Sequence, residues 1–148
     1  YLRFVGKLKG LRGKLLKENV AESIEKVSLQ LVADRLIRNI SKGYQQRTGL
    51  AQALLGKPKV LILDEPTVGL DPRQIGEVRS LIQSLAGEHT VILSTHILQE
   101  VSAVCDRVVI INKGTVVADD NLSELVKQHT TDDGQKSLEE IFLSLTEL

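Results

Sequence analysis

Apolar positions along the chain recur at two periods, and the alternation between them outlines the elements. In residues 1–11 they fall near helical spacing and end at Gly10-Leu11-Arg12-Gly13, which predicts a helix and then a turn. Asn19 precedes Val20, Ile24, Val27 and Leu31, a stripe in steps of four and three, so a second helix capped by Asn19 is expected. Ser41 stands ahead of an alanine- and leucine-rich stretch over 50–55 and reads as the N-cap of a third, because a hydroxyl there accepts a first-turn amide. Asp71-Pro72 is another helix start, since Asp caps and Pro fits the first turn. Ile75, Val78, Ile82 and Leu85 then mark its buried stripe. Ile97, Leu98, Val101 and Val104 predict a further helix, and Ser137 caps a last one bearing Leu138, Ile141, Phe142 and Leu145.

Two runs break the helical period. Val60-Leu61-Ile62-Leu63 and Thr90-Val91-Ile92-Leu93 are continuous, strand-length and branched, as expected of strands buried on both faces of a parallel sheet. A strand over 107–111, the turn Asn112-Lys113-Gly114 and a strand over 115–118 make a hairpin, and polar residues 130–134 read as a loop. Strands alternating with helices and closing on a hairpin describe an α/β chain: a mainly parallel sheet with flanking helices and an antiparallel edge. Nothing repeats internally.

Both runs end in polar groups suited to phosphate chemistry. Asp64 and Glu65 follow the first, at the edge where open parallel sheets take their ligands. One carboxylate can hold Mg²⁺, directly or through water, while its neighbour orients and deprotonates an attacking water. By themselves they equally describe a solvated acidic turn. At Ser41-Lys42-Gly43 the cap, a glycine that admits a large anion, the positive end of the helix dipole and a lysine coincide, although a plain capped helix reads the same way. His96 follows the second run, where an imidazole can hydrogen-bond a terminal phosphate oxygen or the attacking water. His89 and His129 lie in polar stretches and read as surface residues.

Taken in order, Ile40 to Arg47, Val60 to Glu65, Gly69-Leu70-Asp71 and His96 resemble the signature, Walker B strand, D-loop and switch histidine of the ATP-binding cassette (ABC) ATPases. The resemblance covers roughly residues 1–125. It implies a P-loop NTPase fold of the ABC type, with ATP and Mg²⁺ as cofactors. Asp64 would serve Mg²⁺, Glu65 would be the catalytic base and His96 the γ-phosphate sensor. Ser41 and Gly43, with Lys42 adding charge, would act in trans on the γ-phosphate held by a partner subunit, and Asp71 would lie at the dimer seam, a role that competes with its use as an N-cap.

The chain departs from the commonest signature, Leu-Ser-Gly-Gly-Gln, at Ile40, Lys42 and Tyr44. Its Ser41-Lys42-Gly43-Tyr44 version is similar to that of the ABC-2 exporter subgroup, as is the stretch 138–146. The resemblance therefore implies an exporter subunit at the cytoplasmic face of the membrane, working as a homo- or heterodimer of nucleotide-binding domains with transmembrane permease subunits. Its regions would be a helical signature subdomain (1–55), the C-terminal half of the ATPase core (56–126) and a C-terminal loop and helix (127–148). Two other classes stand beside it: a soluble ABC-type ATPase of DNA repair or translation, and a non-enzymatic truncated product.

No Gly-x-x-x-x-Gly-Lys-Ser/Thr occurs; Gly13-Lys14 is followed by Leu15 and Gly56-Lys57 by Pro58, where a magnesium-binding hydroxyl is required. With no methionine and a first segment that reads as mid-helix, the 148 residues are expected to be the C-terminal portion of a nucleotide-binding domain, inactive alone. Lys+Arg and Asp+Glu are each 19, and aromatics make up 3%, so no nucleic acid partner is expected. A single cysteine, Cys105, precludes an internal disulfide, and its neighbours Val101 and Val104 predict a packed thiol. No run approaches the roughly 20 apolar residues of a membrane span, so membrane association is expected to come through a partner.

Overall fold

The computed structural model describes residues 1–129 and 136–146, so the loop expected over 130–134 lies outside the described residues. The chain forms two compact units, Tyr1–Ser94 and Thr95–Leu148.

In the first unit, α1 (Leu2–Leu8) turns at Gly10, whose φ of +84° suits glycine, into α2 (Gly13–Lys26). α2 begins well before Asn19, so Asn19 is not its cap. Only 6% exposed, Asn19 donates from Nδ2 to Leu15 O at 3.0 Å and accepts the Gly56 amide on Oδ1 at 3.1 Å. A buried amide must satisfy both ends, and this one does so by tying the middle of the helix to the turn ahead of the first strand. The apolar stripe stops at Val27; Leu31 lies beyond the helix end and is 84% exposed.

Two 3₁₀ turns, Gln30–Val32 and Ile37–Asn39, lead to α3 (Lys42–Leu54). Ser41 caps it as expected, Oγ accepting the Tyr44 amide at 3.4 Å, and Leu50, Ala51 and Leu54 are buried. Asp71 caps α4 (Pro72–Leu85), accepting the Gln74 amide at 2.9 Å, with Pro72 in the first turn and Val78, Ile82 and Leu85 buried.

Between and after these helices run β1 (Val60–Asp64) and β2 (Thr90–Ser94), paired in parallel from Val60↔Thr90 to Asp64↔Ser94. Burial on both faces is not observed. Leu61 and Leu63 enter the core shared with the helices, whereas Val60 and Ile62 are 49% and 71% exposed. Among the described residues the unit's helices supply cover for one face only, and a branched run alone does not say how many faces are covered. His89 also departs from expectation: it is buried at the entry to β2, and its Nδ1–H donates to Pro58 O at 2.6 Å. The Pro58 carbonyl satisfies one ring nitrogen, while Nε2 is buried with no partner among the described residues.

The second unit contains α5 (Leu98–Val104), β3 (Arg107–Asn112), β4 (Thr115–Asn121), α6 (Leu122–Gln128) and α7 (Leu138–Thr146). β3 and β4 pair antiparallel across Lys113 and Gly114, both at positive φ, as a two-residue type I′ turn requires. β4 runs three residues further than its sequence suggested. The hairpin is a sheet of its own, separate from the parallel pair. Val101, Val108, Ile110, Leu125, Leu138 and Ile141 form the core, with Cys105 half-buried against it; burial, then Asp106 and Glu100, push the thiol above its ordinary value. Ser137 and Glu140 form a reciprocal cap on α7: Glu140 N donates to Ser137 Oγ at 3.2 Å, and Ser137 N donates to Glu140 Oε2 at 2.7 Å.

Candidate functional site

The parallel register carries β1 to its carboxyl end at Asp64, directly opposite Ser94. Ser94 Oγ donates to Asp64 Oδ1 at 2.8 Å, and the Glu65 amide donates to Ser94 O at 2.8 Å, adding one rung beyond the strand. Glu65 then takes a left-handed conformation, φ +46°, uncommon for a residue with a side chain and worth about 1–2 kcal/mol of strain. The rung and the burial of Pro66 and Thr67 hold it there. Strand and turn thus place two adjacent carboxylates at the sheet edge, Asp64 exposed and Glu65 half-buried. Among the described residues no group of three or more His, Cys, Asp or Glu side chains could hold a metal ion, so this edge offers its two carboxylates alone. Ser94, which orients the Asp64 carboxylate, joins the site through a contact that the sequence signals only by a hydroxyl closing the second branched run.

A second cluster lies at the N-termini of α3 and α4. Ser41, Gly43, Tyr44 and Arg47 face Asp71, Arg73, Gln74 and Glu77 across an open cavity of about 280 Å³. Gly43 is buried against Gln74, so close that an added methyl would stand 2.9 Å from Gln74 Cδ. Lys42 reaches across the turn before α4, its ammonium lying over Gly69. Arg47 pairs with Glu77, which also accepts Arg73 Nε at 3.2 Å, fastening the two helices together. The structure therefore brings Ser41, Lys42, Gly43 and Asp71 together, with Asp71 Oδ1 engaged as the α4 cap. His96 belongs to the second unit, two residues past β2, and is exposed. Among the described residues no helix is long and apolar enough to cross a membrane.

Comparison with known proteins gives this geometry a family. The family model described as "ABC transporter" matches residues 8–68. The chain is 43% identical over 131 residues to an uncharacterized ABC transporter ATP-binding protein, YxlF, of Bacillus subtilis, covering 88% of this chain and 44% of that protein. It is 44% identical over 115 residues to the bacitracin transport ATP-binding protein BcrA of Bacillus licheniformis, covering 76% and 38%. A solved structure described as the ATP binding subunit of an ABC transporter superposes with a TM-score of 0.77 at 28% identity, over 97% of this chain and 60% of that one. The chain thus spans less than half the length of these two curated relatives. With an α/β fold that follows an ABC ATP-binding subunit along nearly its whole length, the chain belongs to the ABC transporter ATP-binding domain family and spans part of such a domain.

Proposed function

We propose that this chain supplies the carboxylate edge and the partner-facing cluster of an ATP-hydrolysing subunit in an ABC-2 type exporter. The observation that carries the reading is the Asp64↔Ser94 register, with the Glu65 amide bonded to Ser94 O, which sets adjacent carboxylates at the carboxyl end of a parallel pair. Asp64, oriented by Ser94, would hold Mg²⁺ or its water, and the metal would supply charge neutralisation at the phosphate oxygens. Glu65, set off the strand line by its left-handed backbone, takes the proton of the attacking water, and His96 hydrogen-bonds the γ-phosphate. Ser41 and Gly43 meet the nucleotide of the opposing subunit, Lys42 adds positive charge beside them without touching it, and Asp71 stands at the seam.

In this reading two nucleotide-binding domains, like or unlike, close head to tail around ATP on the cytoplasmic face and drive transmembrane permease subunits. The helical region 1–55 falls within the first compact unit, while the core half 56–126 draws on both units, which divide after Ser94; the 148 residues alone neither bind ATP tightly nor hydrolyse it. A relative named for bacitracin transport supports the transport assignment, and the Ser41-Lys42-Gly43-Tyr44 signature supports the ABC-2 one.

The decisive variant is Glu65→Gln, made in a subunit containing this chain together with a phosphate-binding loop. Turnover falls about a hundred- to ten-thousandfold, the range for a general base, while ATP binding is retained. Near-normal hydrolysis assigns the base elsewhere. Co-purification with integral membrane subunits separates the exporter from a soluble ABC-type ATPase of DNA repair or translation.

A further inference from the structure

The placement of Lys42 is not explained by helix stability. It is the first residue of α3, at the positive end of the helix dipole, and the first turn holds no acidic residue. No ion pair of Lys42 occurs among the described residues. Its side chain instead crosses to the turn that ends β1 and rests on Gly69: a Cβ built there would stand 2.9 Å from Lys42 Cε and 3.7 Å from Cδ, and would collide with Nζ. Gly69 has φ +72°, so the turn needs glycine for its backbone, and the exposed Lys42 side chain lies in the space above it. One residue further along α3, Gly43 is packed against Gln74, in the first turn of α4. The start of α3 and the turn into α4 are therefore keyed together at two points, Lys42 on Gly69 and Gly43 on Gln74.

We propose that Lys42 is a positioning residue: laid over Gly69, it locks the Gly69-Leu70-Asp71 turn to the Ser41–Gly43 segment, so that both present to an opposing nucleotide as one rigid edge. This rests on the function proposed above. A glycine at position 42, as in the commonest family signature, has no side chain to make the contact, so the lock belongs to lysine-bearing signatures.

Two measurements test it. On the 148-residue chain, hydrogen exchange of the Leu70 amide, which donates to Thr67 O at 3.1 Å, reports the turn directly. Lys42→Gly and Lys42→Met are expected to speed it about tenfold, with the buried α4 amide of Ile82 unchanged as proof of fold, and Lys42→Arg to restore protection. In a subunit carrying a phosphate-binding loop, Lys42→Gly and Lys42→Met lower kcat severalfold at unchanged KM, and Lys42→Arg recovers it. Wild-type exchange at Leu70 in Lys42→Gly overturns the lock. So does Lys42→Met that keeps Leu70 protected yet loses turnover, which marks a direct phosphate contact instead. An unmodified subunit without ATP turnover overturns the functional reading beneath the proposal, and is told apart because the exchange is read on the chain alone.

Discussion

Asn19→Asp separates two physical roles for one residue. A helix cap works through a side-chain oxygen, so Asp and Asn serve about equally and exchanging them costs little. Asn19 uses both ends of its amide inside the protein: Oδ1 accepts from Gly56 N, and Nδ2 donates to Leu15 O, with the side chain nearly sealed from water. Asp keeps the first bond and loses the second, and it turns an oxygen bearing negative charge toward the Leu15 carbonyl.

The sizes follow from those contacts. Asn19→Ala removes two hydrogen bonds worth about 1 kcal/mol each net, regains roughly 0.5 kcal/mol of helix propensity, and leaves a Gly56 amide that water can reach, for a loss of about 1–2 kcal/mol. Asn19→Asp keeps the acceptor but buries an unpaired charge, and should lose about 2–4 kcal/mol at neutral pH. The excess over Ala shrinks as pH falls through the carboxylate range, because a protonated Asp can donate to Leu15 O as the amide does. Urea titrations followed by circular dichroism at pH 7 and about pH 4 measure all three chains. Asp within about 0.3 kcal/mol of Asn at pH 7 would refute the buried tether and return Asn19 to a solvent-exposed role.

Ser94→Ala deletes the bond that orients Asp64. In a subunit with a phosphate-binding loop it should raise the Mg²⁺ concentration for half-maximal turnover severalfold while costing the chain about 1 kcal/mol or less, since the pair is exposed; unchanged Mg²⁺ dependence removes Ser94 from the site. Glu22, bonded to Lys57 at 2.7 Å, is held below the usual carboxylate range chiefly by that hydrogen bond. A lowered folded-state value gives stability that is present above the ordinary carboxylate pKa of about 4.3 and is lost as pH falls through the lower one. Glu22→Gln should therefore be the less stable chain at neutral pH and low salt, with the gap closing in acid or in about 1 M salt; a gap independent of both contradicts the ion pair.

What was legible in the sequence was what neighbouring residues decide. Ser41, Asp71 and Ser137 cap helices because a short polar side chain just ahead of a first turn meets that turn's amides wherever the helix lies, and Lys113-Gly114 turns the hairpin because two successive positive φ values are needed there. The acidic pair at the end of β1 was visible for the same reason: a strand's end and the change from apolar to charged coincide. The residues read differently by the structure depend on partners far along the chain. Gly56 is 37 positions from Asn19, and Pro58 is 31 from His89. Polar residues at element boundaries are ambiguous, because a cap, a surface group and a buried tether place the same atoms at the same sequence position, and only the distant partner separates them. The β1 run shows the apolar counterpart: four branched residues state that burial is available, whereas its extent depends on what lies over the face of Val60 and Ile62, which no local pattern encodes. Lys42 joins both cases, since its sequence position invites a phosphate contact and its partner 27 residues on gives it a structural one. Substitutions at such boundary residues should therefore be judged by their long-range partners, even where a motif offers a ready local role.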